Sequence, residues 1–138
     1  MDELGSRAFV AARAMVGARF RAQGRDPALG VDCVGLVWAA YAAAGCVLRA
    51  PCDYPLRGWS RGRIVAALEA AGFRAAVDTR EGDVALMALP AGQFHLGLIG
   101  VGRMVHAHAG LRRVVETPLV AAGAMQVWRL VDGPPRCA

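Results

Sequence analysis

The side chains best suited to bond-making chemistry are a cysteine and a cluster of histidines. Cys33 lies between Asp32 and the apolar run 34–41, in the stretch GVDCVGLVWAAY, and the chain's three histidines, His95, His106 and His108, all fall within HLGLIGVGRMVHAH. A thiol on the first turn of a helix faces unpaired backbone N–H groups and the positive end of the helix dipole, which favour the thiolate. An imidazole beside it can take the proton, and a second polar group can orient that imidazole. Two plainer readings stand against this one. An isolated cysteine on a helix is most often a small buried hydrophobe. His-Ala-His together with cysteines could bind zinc, although only the His-x-His half of such a ligand set is present.

The chemistry depends on where the elements put these residues. Residues 4–17 read as a helix, with Phe9, Ala12 and Val16 at helical spacing and Gly17 at its end. A Gly- and Pro-containing loop follows. Asp32 is then placed to cap a helix running from Cys33 to about Ala44, with Gly45 as its stop. Val34, Leu36, Val37, Trp38 and Tyr41 make that helix apolar on nearly all sides, so it should be buried. Residues 46–60 are irregular; within them Tyr54, Arg57 and Trp59 could line a substrate cleft or anchor the loop on the core. A further helix is expected at 61–71, with Ile64, Val65 and Leu68 on one face and Gly72 ending it.

Beyond Gly72 the period changes to two, and FRAAVD, DVALMAL, HLGLIGV, RMVHAHA, RRVVE and AMQVWRLV are short candidate strands. Helices first and an antiparallel sheet second make an α+β fold, read as one domain over 1–138. If 95–101 and 103–108 form a hairpin, His95 and His106 come to the same end of adjacent strands and can meet across the ladder. His106 and His108 share a face because strand side chains alternate. His108 can then be a rim residue or a substrate contact. Asp83 is expected to shape the turn into its strand.

All 16 basic residues are arginine, against 11 acids, for a formal charge of +5. They are scattered, with only Arg112 and Arg113 adjacent, which argues against a nucleic-acid stripe while leaving an acidic partner open. No apolar run approaches the roughly 18 residues that a membrane span needs. The start has acids first and arginines interleaved, not the order of a signal peptide, so synthesis in the cytoplasm is expected. With no CxxC pair among Cys33, Cys46, Cys52 and Cys137, reduced thiols are expected there, although a Cys46–Cys52 bridge is possible by spacing.

Three ordered blocks resemble the NlpC family of cell-wall cysteine peptidases: Asp32-Cys33-Val34-Gly35, then Gly82-Asp83-Val84 followed by His95-Leu96-Gly97-Leu98, then Val105-His106-Ala107. The likeness runs from about residue 10 to 109. It implies a compact papain-like fold, with N-terminal helices packed on an antiparallel sheet. It also implies Cys33 as nucleophile, His95 as base and His106 as the residue orienting it, with no cofactor or metal. The segment ARFRAQGRDPALGVDCVGLV is similar to tail-associated peptidases of phages and gene transfer agents. Those have tyrosine where this chain has Phe20, and histidine where it has Ala22. In many relatives that tyrosine hydroxyl reaches the active site. Gln23 remains as a candidate oxyanion donor beside the Cys33 N–H. The resemblance implies a peptidoglycan peptide substrate and tail-hub or tail-tip partners, with the protein assembled into a phage-like tail. The rival functions are a catalytically weak structural adaptor of the tail hub and a cytosolic amidase or deamidase.

Overall fold

A computed structural model describes residues 3–49, 60–89, 93–119 and 125–131. The expected elements are all present. Helix α1 spans Glu3–Ala14, α2 Cys33–Ala43 and α3 Arg61–Ala71. The strands are β1 (Arg25–Asp26), β2 (Gly30–Val31), β3 (Phe73–Ala76), β4 (Val84–Leu89), β5 (Gln93–Ile99), β6 (Arg103–His108), β7 (Arg113–Pro118) and β8 (Met125–Leu130). All neighbours in the six-stranded sheet, ordered β3-β8-β4-β5-β6-β7, run antiparallel. The small β1–β2 pair stands apart from it.

Helix α1 stops three residues before the expected end. Met15 and Val16 bond to the carbonyls of Ala12 and Arg13, which tightens the last turn. Gly17, at φ 96, then swings the chain toward β7, leaving Val16 exposed instead of on the buried face. The turned segment pairs with both β7 and β2: Phe20 N–H donates to the Arg112 carbonyl, and Arg21 N–H to the Val31 carbonyl. The loop expected between the first two helices is therefore partly a sheet extension.

Helix α2 is the centre of the core. Leu36, Val37 and Ala40 are fully buried, and Val34 and Tyr41 nearly so, packed against Leu96, Leu98, Val105 and Ala107 from the sheet. Burying side chains of this size stabilises by roughly 1.5–3 kcal/mol each. Tyr41 Oη donates to the Gly82 carbonyl at 2.5 Å, tying α2 to the turn before β4. That turn is held by Asp83, which accepts from Arg80 N–H at 2.9 Å and from Arg129 on β8. Arg7 of α1 donates to the Ala44 carbonyl at the end of α2.

Cys33 is a free thiol, whereas Cys46 is disulfide-bonded, which corrects the expectation of reduced thiols there. That expectation rested on the redox state of a compartment, which places no restriction on how the chain brings sulfurs together. The partner of Cys46 falls outside the described residues, as do Cys52, Cys137, Tyr54, Arg57 and Trp59.

Candidate active site

The Asp-Cys-Val-Gly block has a local physical logic. Asp32 caps α2 through Oδ1, which accepts from Gly35 N–H at 2.7 Å, while Oδ2 accepts from Gln23 N–H at 2.8 Å. One carboxylate thus fixes both the first turn of α2 and the loop over it. Gly35 is required by contact: a Cβ there would lie 1.9 Å from the Gly24 carbonyl oxygen. Gln23 is held at φ 61, a left-handed conformation uncommon for a residue with a side chain. Its side chain is exposed beside the start of α2. Phe20 is partly buried against the core and bridges to Val31, two residues before Cys33.

Strand β5 brings the first imidazole, His95. Its pairing with β6 is confined to Leu98↔Val105 and Ile99↔Met104, so the ladder stops short of Leu96. The backbone N–H groups of Leu96 and Val34 instead lie near the Cys33 sulfur and favour its charged form. The thiol therefore lies beside the residue that follows His95. Gly97 lets β6 side chains lie close over β5 here, because a Cβ there would run into the Met104 side chain at 2.5 Å and approach His106 Cβ at 3.5 Å. Beyond the last ladder pair, His95 Nε2 and His106 Nδ1 are 3.0 Å apart, with the rings edge-on at 78°.

The chain of contacts continues to a residue that sequence reading missed. His106 Nε2 lies 3.2 Å from Thr117 Oγ1 on β7. If His95 is to accept a proton at Nδ1, its Nε2 carries the hydrogen and donates to His106 Nδ1. His106 Nε2 then carries the next hydrogen and donates to the threonine hydroxyl. The register that pairs Met104 with Thr117 and His106 with Val115 makes this a diagonal contact. No spacing within one strand announces it.

His108 is engaged differently. Its Nδ1 accepts from Leu111 N–H at 3.0 Å, closing the β6–β7 turn. Its ring is 5.9 Å from His106, but the contact to His95 is made by His106. Among the described residues no three His, Cys, Asp or Glu side chains gather as a metal-ligand set, and no helix is long and apolar enough to cross a membrane.

The electrostatics correct the expectation of a ready-made thiolate. Burial pushes the Cys33 thiol up to about 12, outweighing the nearby backbone N–H groups, and the neighbouring Asp32 carboxylate pushes the same way. Burial also lowers His95 to about 4, helped by repulsion from His106 and His108. His106 is lowered too, by burial and then by His108. The resting pair is therefore neutral thiol and neutral imidazole. Among the described residues no hydrogen bond joins Cys33 to His95.

No protein-family model and no curated protein sequence matches the chain. Solved structures do. NlpC2 from Trichomonas vaginalis is similar at TM-score 0.68 and 17% identity, over 92% of this chain and 46% of that one. RipB, a peptidoglycan hydrolase from Mycobacterium tuberculosis, is similar at TM-score 0.64 and 21% identity, over 96% of this chain and 67% of that one. The NlpC/p60 domain of the peptidoglycan hydrolase SagA is similar at TM-score 0.59 and 22% identity, over 90% of this chain and 96% of that domain. This chain thus spans less than half of the Trichomonas protein and nearly the whole of the SagA domain. With three helices and a six-stranded antiparallel sheet among the described residues, it has the α+β fold of the NlpC/p60 domains.

Proposed function

We propose that the protein is a cysteine peptidase or amidase that cleaves peptidoglycan stem peptides, with Cys33 as nucleophile, His95 as base and His106 orienting His95. The observation that carries this reading is the continuity of the site. A free thiol at the start of α2 lies near the Leu96 N–H, the adjacent His95 contacts His106, and His106 in turn contacts Thr117. The peptidoglycan-hydrolase names of the similar structures support the substrate class.

With both groups neutral at rest, the proton moves during attack. His95 Nδ1 takes the thiol proton as sulfur bonds to the scissile carbonyl carbon, and the oxyanion is met by the Cys33 N–H with Gln23 as a second candidate donor. His95 then gives the proton to the departing amine as the C–N bond breaks. Water, deprotonated by His95, attacks the thioester and releases the acid and the thiol. Asp32 serves this chemistry by fixing α2, and the placement of His108 suits a contact at the rim.

The setting we propose is the tail of a phage-like particle or gene transfer agent, docked on a hub or tip protein after synthesis in the cytoplasm. Its support is the resemblance of the segment before Cys33 to tail-associated peptidases. The disulfide at Cys46 favours an oxidising destination over a cytosolic amidase. Phe20 and the unpaired approach of Cys33 to His95 favour, as the second reading, a catalytically weak adaptor of the hub. Digestion of purified wall fragments, with Cys33→Ala as control, separates enzyme from adaptor. Mass spectrometry of purified particles tests the setting: absence of the chain from intact tails removes it.

A further inference from the structure

The sheet face that carries His106 and His108 continues sideways into a basic row. His108 is directly opposite Arg113 on β7, and Arg113 is directly opposite Arg19 in the turned segment after α1. Residues directly opposite in antiparallel pairing share a face. The Arg19–Arg113 pair is flanked by Phe20 N–H to the Arg112 carbonyl at 3.0 Å and Val114 N–H to the Ala18 carbonyl at 2.9 Å. That pattern makes it a non-hydrogen-bonded pair, the type whose side chains approach most closely.

Two like charges directly opposite on adjacent strands are destabilising. Nothing on the described surface relieves them: both are exposed, and no acidic side chain pairs with either among the described residues. Glu116, the acid on β7, alternates to the other face and is bound by Arg13 and Arg103. Exposed Arg21 stands two residues along from Arg19, and Arg112 precedes Arg113. A charge arrangement that works against the folded state and adjoins the histidines is what a site for an anionic group looks like before its ligand arrives.

We infer that Arg19 and Arg113 form a subsite for a carboxylate of an acidic peptide laid across the histidine face. At about 4.8 Å between strands, Arg113 is one strand and Arg19 two strands from His108. That reach places the anion within a few residues of the scissile bond. The inference rests on the proposed hydrolase reading for the identity of the peptide, but not for the existence of the site.

The test uses the full chain carrying Cys33→Ala, so that binding is read without turnover. The probes are N-acetyl-Ala-Glu, its neutral diamide and inorganic phosphate, followed by calorimetry and amide NMR at low salt. Replacing both arginines (Arg19→Gln with Arg113→Gln) should weaken the acidic peptide about tenfold, and either alone about threefold. The neutral diamide should be unaffected, and the urea midpoint should stay level or rise as the repulsion is removed. Unchanged acidic-peptide affinity, equal binding of the diamide, or a loss of stability accompanying the loss of binding would overturn the site. Phosphate binding more tightly than the peptide through the same arginines would overturn the carboxylate assignment. Acidic-peptide binding through the arginines in a protein that digests no wall fragment supports the site and removes the hydrolase reading. Wall digestion with KM unchanged in the double variant does the reverse.

Discussion

Acid should destabilise this protein through His95, by an amount the structure sets. In the unfolded chain the imidazole titrates near 6.5, and in the folded protein burial and the two neighbouring histidines hold it at about 4. Between these values the unfolded state binds the proton that the folded state refuses, so stability is full above pH 6.5 and falls as pH drops toward 4. At about 1.4 kcal/mol for each pH unit, the loss is about 2 kcal/mol at pH 5 and about 3 kcal/mol at pH 4. The perturbation is His95→Gln, which keeps a polar side chain and removes the titration. Urea unfolding at steps from pH 7.5 to 4, read by fluorescence of the buried Trp38 and Trp128, gives both curves. The wild type should lose most of those 3 kcal/mol relative to the variant over this window. A smaller common slope remains in both from His106, which is lowered in the same direction. Parallel curves, or an NMR titration placing His95 near 6.5, would refute the reasoning and the buried neutral imidazole with it.

Other consequences can be measured alongside. Cys33, held up to about 12 by burial, should react with iodoacetamide more slowly at pH 7 in the folded protein than after unfolding, with no plateau up to pH 9. Asp32→Ala removes a helix cap and the anchor of Gln23 N–H, costing about 2 kcal/mol by chemical denaturation; it should also quicken Cys33 alkylation, since Asp32 raises the thiol. Thr117→Val should lower kcat about threefold to tenfold with KM and stability little changed, and Thr117→Ser should restore it; nitrogen NMR of His106 should show the proton leaving Nε2 in the valine variant. Gly35→Ala, forced against the Gly24 carbonyl, should destabilise by about 2 kcal/mol or more, seen as a lower urea midpoint.

Much of this architecture was legible because it is local. Period-two runs between glycines located all six strands of the sheet, Gly72 at φ 106 ended α3 where expected, and Asp32 caps α2 as its place before Cys33 suggested. The hairpin brought His95 and His106 to one end as expected, but the register Leu98↔Val105 sets His95 across from His108 by count, so its contact with His106 is diagonal. What was not legible depends on register between strands and on depth. Thr117 reaches His106 only because β7 pairs with β6 in one register, and nothing in the segment RRVVETP marks that threonine. The helix terminus argued for a lowered thiol, yet desolvation by the surrounding core decides the sign. The length of α1 was overread because Val16 kept the helical spacing; the turn at Gly17 and pairing with β7 took precedence over local propensity.

The central claim is that Cys33 is the nucleophile of a wall-peptide hydrolase, and acyl-enzyme trapping tests it most directly. Purified protein is mixed with peptidoglycan fragments, quenched in acid at short times and digested for peptide mass spectrometry, with release of new amines followed in parallel. A stem-peptide acyl group should appear on the peptide containing Cys33, decaying as the amine product accumulates, and both should vanish in Cys33→Ala. Amine release that persists in Cys33→Ala, or wild-type protein that forms neither adduct nor product on any wall fragment, would contradict it.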